Sequence, residues 1–205
     1  MNTEPTLRLL LVRHGETNWS QEGRFCGRSD PPLNEAGVRQ VQMLAERLRD
    51  KNIVMGYVSP ARRACQTADT LRVAAQLGVT FLRRIELQEQ DFGEWEGRQP
   101  EDVAESDPAL WADWQSGKVA APPGGESLPA IAERALRWVN EVTLSHTGET
   151  VVAVSHGGVL QAMLCKLLGT ALRPLWPYRL AAAGIAEVWL YPAGAALVSL
   201  NNPNQ

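Results

Sequence analysis

The chain has 205 residues, 44% of them hydrophobic and 21% charged, an ordinary globular composition that excludes disorder as the dominant state. Its 20 basic and 23 acidic residues leave a formal charge of −3, which argues against a generic nucleic-acid binder, a class that leans on a basic excess. No apolar run approaches the ~18 residues of a membrane span, and the length suits one domain.

Met1 to Pro5 carries neither the basic segment nor the long apolar segment of a secretion signal, so a cytoplasmic protein is expected. Leu7 to Val12 is an apolar run of strand length that ends in polar residues and Gly15. Asn34 is placed to cap a helix whose Val38, Val41, Leu44, Ala45 and Leu48 share one face. Ile53 to Val58 is a second strand-like run. Ser59-Pro60 then reads as the cap and first residue of a helix that buries Ala64, Ala68, Leu71 and Ala75 and stops at Gly78.

From about Glu89 to Glu126 the rhythm breaks. Pro100, Pro108, Trp111, Trp114 and Pro122-Pro123-Gly124-Gly125 fall here, and no flexible linker flanks them, so the segment reads as a helical insertion over the sheet. Ser127 is placed to cap a helix carrying Leu128, Ile131, Ala135, Trp138 and Val142. Thr150 to Val154 is a third strand-like run, and Val159 to Leu168, closed by Gly169, reads as a buried helix. Ile185 to Tyr191 and Ala195 to Leu200 look like two more strands joined by a turn at Pro192-Ala193-Gly194.

Continuous apolar strands alternating with helices predict an α/β fold with a mostly parallel sheet covered on both faces. The expected architecture is a three-layer α/β/α sandwich, 1–205 as one domain, with a lid-like insertion at about 89–126 over the active site. Cys26, Cys65 and Cys165 are scattered and form no C-x-x-C pair, as free thiols in a reducing compartment would. His14, His146 and His156 lack the i, i+4 spacing of a helical metal site, so no metal ligand is assigned.

The polar residues gather after the strands. Arg13-His14-Gly15-Glu16 follows the first strand, Arg62-Arg63 opens the helix after the second, and Ser155-His156-Gly157-Gly158 follows the third. Ligands of open parallel sheets bind beyond the carboxyl ends of the strands, so two histidines and two arginines are expected to meet at one edge. Taken singly, each piece is ordinary: a histidine packed at a strand end, a solvated helix face, a tight glycine turn. Packing does not explain all three at three strand ends.

This constellation resembles the histidine phosphatase superfamily, the phosphoglycerate-mutase-like group, along nearly the whole chain. The matching blocks are Leu11-Val12-Arg13-His14-Gly15-Glu16-Thr17, Gly23-Arg24-Phe25-Cys26-Gly27 and Pro32-Leu33-Asn34-Glu35-Ala36-Gly37. They continue with Ser59 to Ala68, Glu89 to Gly97 and Val154-Ser155-His156-Gly157-Gly158. The resemblance implies a phosphohistidine intermediate with His14 as nucleophile. Arg13, Arg63, His156 and the Gly157 amide would hold the phosphoryl oxygens. Of the paired arginines, Arg63 fits the pattern Arg-Ala-x-x-Thr-Ala, which leaves Arg62 at the rim.

A leaving alkoxide needs a proton, and a carboxylic acid with a raised pKa is the expected donor. Glu86, Glu89, Asp91, Glu94 and Glu96 are available; the family's spacing before Phe92-Gly93 selects Glu89, and the others read as solvated loop charge. Ser20 stands where many relatives carry Asn, and it keeps one hydroxyl for phosphate contact. The scheme uses no cofactor and no metal ion.

The implied activity is phosphomonoester hydrolysis of a small phosphorylated metabolite, with neither nucleic acid nor membrane as a partner. Nothing in the sequence decides between a monomer and a homodimer. A phosphoglycerate mutase is disfavoured because Arg98 and Lys118 are the only basic residues between Gly97 and Gly124. A catalytically silent phosphate-binding regulatory module is disfavoured because nucleophile, arginines, second histidine and acid are all present. Trp111-x-x-Trp114, Pro122 to Ser127 and Tyr178-Arg179-Leu180 resemble the branch acting on α-ribazole 5′-phosphate in cobalamin assembly. Broad-specificity, phosphoserine and phosphosugar phosphatases are the alternatives within the family.

Overall fold

The computed structural model describes residues 4–174 and 177–201. Strand β1 (Leu7–Arg13) leads through the short helix α1 (Asn18–Gln21) to α2 (Glu35–Leu48), then β2 (Ile53–Val58), α3 (Arg62–Ala74) and β3 (Phe81–Arg83). After 3₁₀ turns at Ile85–Leu87 and Gly93–Trp95 come α4 (Pro100–Ser106), α5 (Pro108–Gln115) and α6 (Leu128–Ser145). The chain ends with β4 (Thr150–Ser155), α7 (Gly157–Leu167), β5 (Ile185–Tyr191) and β6 (Gly194–Leu200). No helix among the described residues is long and apolar enough to cross a membrane.

The six strands form one sheet in the order β3-β2-β4-β1-β5-β6. β3, β2, β4 and β1 run parallel, with Arg13 level with Ser155; β5 pairs antiparallel to β1, and β6 antiparallel to β5. Alternate residues of the central strands feed opposite cores. Leu7, Leu9, Leu11, Val151 and Ala153 pack with α6 and α7, whereas Leu10, Val12, Val152 and Val154 pack with α2 and α3. Both sheet faces are therefore covered, and the continuous apolar strands follow from that burial.

Asn34 and Ser127 cap α2 and α6 as expected, accepting from the Gly37 and Ala130 amides. Val38 is the exception on α2, lying 37% exposed at the edge of the buried stripe. Two boundaries of α3 differ from the expectation. Its N-cap is Ala61 rather than Ser59, because the Ser59 hydroxyl is turned to His156, and Asp30 from a distant loop accepts the Arg62 amide at 2.6 Å instead. It ends at Ala74, before Gly78, because Gln76 takes the left-handed conformation at φ 54°. The Gln76 and Leu77 amides then bond back to Val73 and Arg72 in a Schellman closure.

Helix α7 begins at Gly157, two residues earlier than its apolar run, and closes through Gly169 at φ 68°. The three-residue β3 and four-residue α1 carry too few residues for a periodic signal, and pattern reading misses them. Within the segment from Glu89 to Glu126, helices α4 and α5 build a small apolar cluster of their own. Trp95, Val103 and Trp114 are buried, with Phe25, Phe92, Leu110 and Trp111 packed against them.

Candidate active site

β1 and β4 end side by side, which places His14 and His156 next to each other. The His14 amide donates to the Ser155 carbonyl at 2.9 Å, and the imidazole centroids lie 5.1 Å apart. His14 Nδ1 stands 2.7 Å from the Gly15 carbonyl. A carbonyl only accepts, so the proton sits on Nδ1, and Nε2 keeps the lone pair that a nucleophile needs. The Gly15 amide in turn bonds to Thr67 Oγ1, whose hydroxyl donates to the Arg63 carbonyl, tying this loop to α3.

His156 caps α7 and is fully buried. Its Nε2 lies 2.7 Å from Ser59 Oγ, which also accepts the Ala61 amide. The Ser59 hydroxyl finds its acceptor in Nε2, which assigns the ring proton to Nδ1, a buried donor with no partner among the described residues. Arg13 and Arg63 present the same feature at Nε. Arg13 Nη1 is held by the Leu180 carbonyl at 2.8 Å. Arg63 is fully buried, with Nη1 on the Ser29 carbonyl at 2.7 Å and Nη2 on those of Cys26 and Gly27 at 3.0 and 3.1 Å. Arg62, its neighbour, is exposed.

Burial, then the charges of Arg63 and Arg13, hold the His14 imidazole well below its ordinary 6.5. Burial, Arg63, His14, Arg13 and Arg134 do the same to His156. Both rings are therefore neutral at pH 7, and the cluster presents a free imidazole lone pair surrounded by N–H donors. Burial also lowers the Arg13 guanidinium from its ordinary value, with Glu89 opposing and Arg179 and Arg63 adding to the effect.

Glu89 lies at the N-terminus of α7. Its Oε1 accepts the Gln90 and Val159 amides at 2.9 and 3.1 Å, and its Oε2 accepts the Gly158 amide at 2.9 Å. This arrangement makes Gly158 the position that admits no side chain, since a Cβ there would lie 2.6 Å from Glu89 Oε1. At the preceding Gly157 a Cβ would meet Arg13 Nε at an ordinary 3.5 Å. Arg134 of α6 anchors the loop from behind, donating to the Glu86 and Glu89 carbonyls at 2.6 and 3.2 Å while pairing with Glu126.

The remaining carboxylates divide. Glu94 is exposed, in line with the sequence reading. Asp91 accepts the Gly93 amide and faces Arg28, and Glu86 pairs with Arg84. Glu96 corrects the expectation of a solvated loop charge: both its oxygens are taken by the Gly27 amide and one also by the Ser29 amide. Ser20 differs as well. It lines the cavity, but its hydroxyl donates to the Thr17 carbonyl and accepts the Thr17 amide in a capping box. His146 stands elsewhere, between the Tyr57 hydroxyl and Glu149.

These groups border a cavity of about 730 Å³. Arg13, His14, Glu89 and Gly157 line it near the strand ends, and Phe25, Phe92, Pro100, Trp111 and Trp114 supply an apolar wall. Arg63 and His156 are not part of its surface; they lie buried beside His14. Sequence reading missed Gln161 as a lining residue, since a glutamine inside an apolar helix carries no motif signal. Arg24 and Arg179 also line the cavity, and only their place in matching blocks drew notice to them.

Residues 9–203 match the family described as "Histidine phosphatase superfamily (branch 1)". Phosphoserine phosphatase 1 of Hydrogenobacter thermophilus is 33% identical, over 95% of this chain and 92% of that one. The crystal structure of the alpha-ribazole phosphatase from Shigella flexneri superposes with a TM-score of 0.80 at 30% identity, covering 95% of this chain and 96% of that one. A bifunctional protein of Mycobacterium tuberculosis is 37% identical over 95% of this chain, which spans only 53% of that longer protein.

The two depressed imidazoles make stability depend on pH with a definite sign. Unfolded, both rings take up protons near 6.5; folded, they resist to lower pH, so their contribution is complete above 6.5 and is lost as pH falls below it. Urea midpoints are expected to fall between pH 7 and pH 5. In NMR titrations of the folded protein the ring signals of His14 and His156 should stay in the neutral form through pH 6. Midpoints for both rings at or above 6.5 would contradict the buried, donor-surrounded arrangement.

Proposed function

The chain belongs to the histidine phosphatase superfamily, and we propose that it hydrolyses phosphomonoesters through a phosphohistidine on His14. The observation that carries this reading is that Arg13, Arg63 and His156, each with a buried ring or guanidine nitrogen unpartnered among the described residues, neighbour an imidazole with a free Nε2. Such donors suit a phosphoryl group, which keeps its negative charge on the equatorial oxygens throughout transfer.

In the first half-reaction His14 Nε2 attacks phosphorus, the N–P bond forms, and the bond to the leaving alcohol oxygen breaks as Glu89 gives that oxygen a proton. A carboxyl group keeps acceptor capacity whether or not it carries the proton, so the three amides go on holding Glu89 while that proton is transferred. In the second, Glu89 takes a proton from water, the water oxygen attacks phosphorus, and the N–P bond breaks to release inorganic phosphate and the free imidazole. Ser20 contributes less than its position suggests, because its hydroxyl proton is committed to Thr17.

For the substrate we propose a phosphomonoester with a ring-bearing alcohol, and α-ribazole 5′-phosphate in particular. A volume of about 730 Å³ lies within the roughly 300–1,000 Å³ of sites that enclose cofactor-sized ligands. The Trp111, Trp114, Phe25 and Phe92 wall offers faces and edges for a flat ring, with the segment from Glu89 to Glu126 as the lid over it. A second reading, phosphoserine, is favoured by Arg24 and Arg179 in the same lining, which suit a substrate carboxylate.

Three outcomes test the proposal. Quenching with labelled phosphomonoester should leave acid-labile phosphate on His14, and His14→Ala should be folded and inactive; label on His156 would reverse the two roles. Against α-ribazole 5′-phosphate, phosphoserine and 3-phosphoglycerate, kcat/KM should be highest for the first, and Trp111→Ala should depress that value most. A preference for phosphoserine that Arg179→Ala removes would establish the second reading. Glu89→Gln should slow alkyl phosphates by about 10²–10⁴-fold, the usual reach of general acid catalysis, and slow an activated aryl phosphate far less. Equal slowing of both would move Glu89 from proton donor to positioning.

A further inference from the structure

Arg63 is a guanidinium without exposed surface, and no carboxylate among the described residues pairs with it within 4.0 Å. An isolated buried charge is strongly unfavourable unless its field is answered nearby. The answer comes through the main chain. Cys26, Gly27, Arg28 and Ser29 form a turn whose carbonyls at 26, 27 and 29 accept from Arg63. The amides of the same turn face the other way, with Gly27 donating to Glu96 Oε1 and Oε2 at 2.9 and 3.1 Å and Ser29 donating to Oε1 at 2.9 Å.

The Cys26 carbonyl and the Gly27 amide belong to one peptide group. That group therefore has a cation on its oxygen and an anion on its N–H, with its dipole aligned between them. Each charge polarises the group in the sense that strengthens the bond to the other. On its other side the turn packs directly on the chain next to Glu89, since a Cβ at Gly27 would lie 2.0 Å from the Gln90 carbonyl. Three of the five guanidinium N–H groups are spent on the turn, while the buried Nε–H has no partner among the described residues and is the donor left for an anion.

We infer that Glu96 is a positioning residue which, acting through the Cys26–Gly27 peptide, is the counter-charge of Arg63 and fixes the direction of its free Nε–H. The inference rests on the reading of Arg63 as a phosphate ligand. Glu96 touches neither substrate nor reacting atoms, so its effect should appear as anion affinity that is indifferent to the leaving group, unlike that of Glu89.

The test is a double-mutant cycle on the full chain, with orthovanadate inhibition and turnover of one aryl and one alkyl phosphate as readouts and thermal melting as the control for folding. Glu96→Gln removes the charge and turns an amide N–H₂ toward amide donors. It should weaken vanadate inhibition by about 10- to 100-fold, the scale of hydrogen bonds to charged groups, and depress kcat/KM equally for both phosphates. Glu96→Asp, which keeps the charge, should lose less. In an Arg63→Met background Glu96→Gln should change vanadate affinity by no more than about twofold.

Vanadate affinity unchanged in Glu96→Gln, or losses that multiply in the double variant, would overturn the inference while leaving Arg63 a ligand. Vanadate affinity left unchanged by Arg63→Met alone would overturn the reading of Arg63 and the inference with it. Should Glu96→Gln fail to fold, Glu96→Asp carries the test: unaltered vanadate affinity, or a loss undiminished in the Arg63→Met background, counts against it.

Discussion

Buried Arg63, His14 and His156 lie beside half-buried Arg13, and Glu89 is the only carboxylate among the described residues that lines the cavity beside them. So much potential positive charge in so small a volume is tolerable only if main-chain carbonyls surround it. The local structure meets this demand. Leu180 accepts from Arg13, the turn at Cys26 to Ser29 from Arg63, and Gly15 from His14, while Ser59 meets His156. The two imidazoles answer the same constraint by remaining neutral, which is the state nucleophilic attack requires.

The fold supplies those carbonyls from segments far apart in the chain. β1 and β4 lie adjacent and in register, so their ends bring His14 and His156 together across more than 140 positions of sequence. The β1–α2 connection wraps over the start of α3 and delivers the turn that receives Arg63, while Arg13 reaches the segment before β5. Gly15 and Gly37 permit this wrapping: a Cβ on Gly37 would lie 2.2 Å from the Glu16 carbonyl, so α2 docks against the His14 loop only through bare backbone.

The segment from Glu89 to Glu126 joins the site at two levels. Near the strand ends, Arg134 and Glu126 pin the loop that carries Glu89, and Ser155 holds the Leu87 carbonyl at 2.6 Å, so the acid is fixed relative to β4. Further out, Val103 of α4 and the tryptophans of α5 pack with Trp95 into a cluster separate from the two sheet cores, which shapes the cavity wall without burdening the sheet. The polar end of the cavity is thus built on strand ends and its apolar wall on an added layer, so the wall can vary without disturbing the strand ends.

The sequence by itself determined the α/β sandwich and the strand ends at which His14, His156, Arg13 and Arg63 gather with Glu89. Its apolar periodicity reports burial directly, and its motif blocks are short and local. Only the tertiary structure decided which side-chain atoms are free. Ser20 turns back on Thr17, Ser59 leaves its expected cap for His156, Gly158 makes room for Glu89, and Glu96 bonds a turn nearly seventy residues away. Apart from the local Ser20–Thr17 capping box, these outcomes depend on hydrogen bonds between segments distant in sequence. A residue type specifies its donors and acceptors, but the fold chooses among the partners it brings within reach.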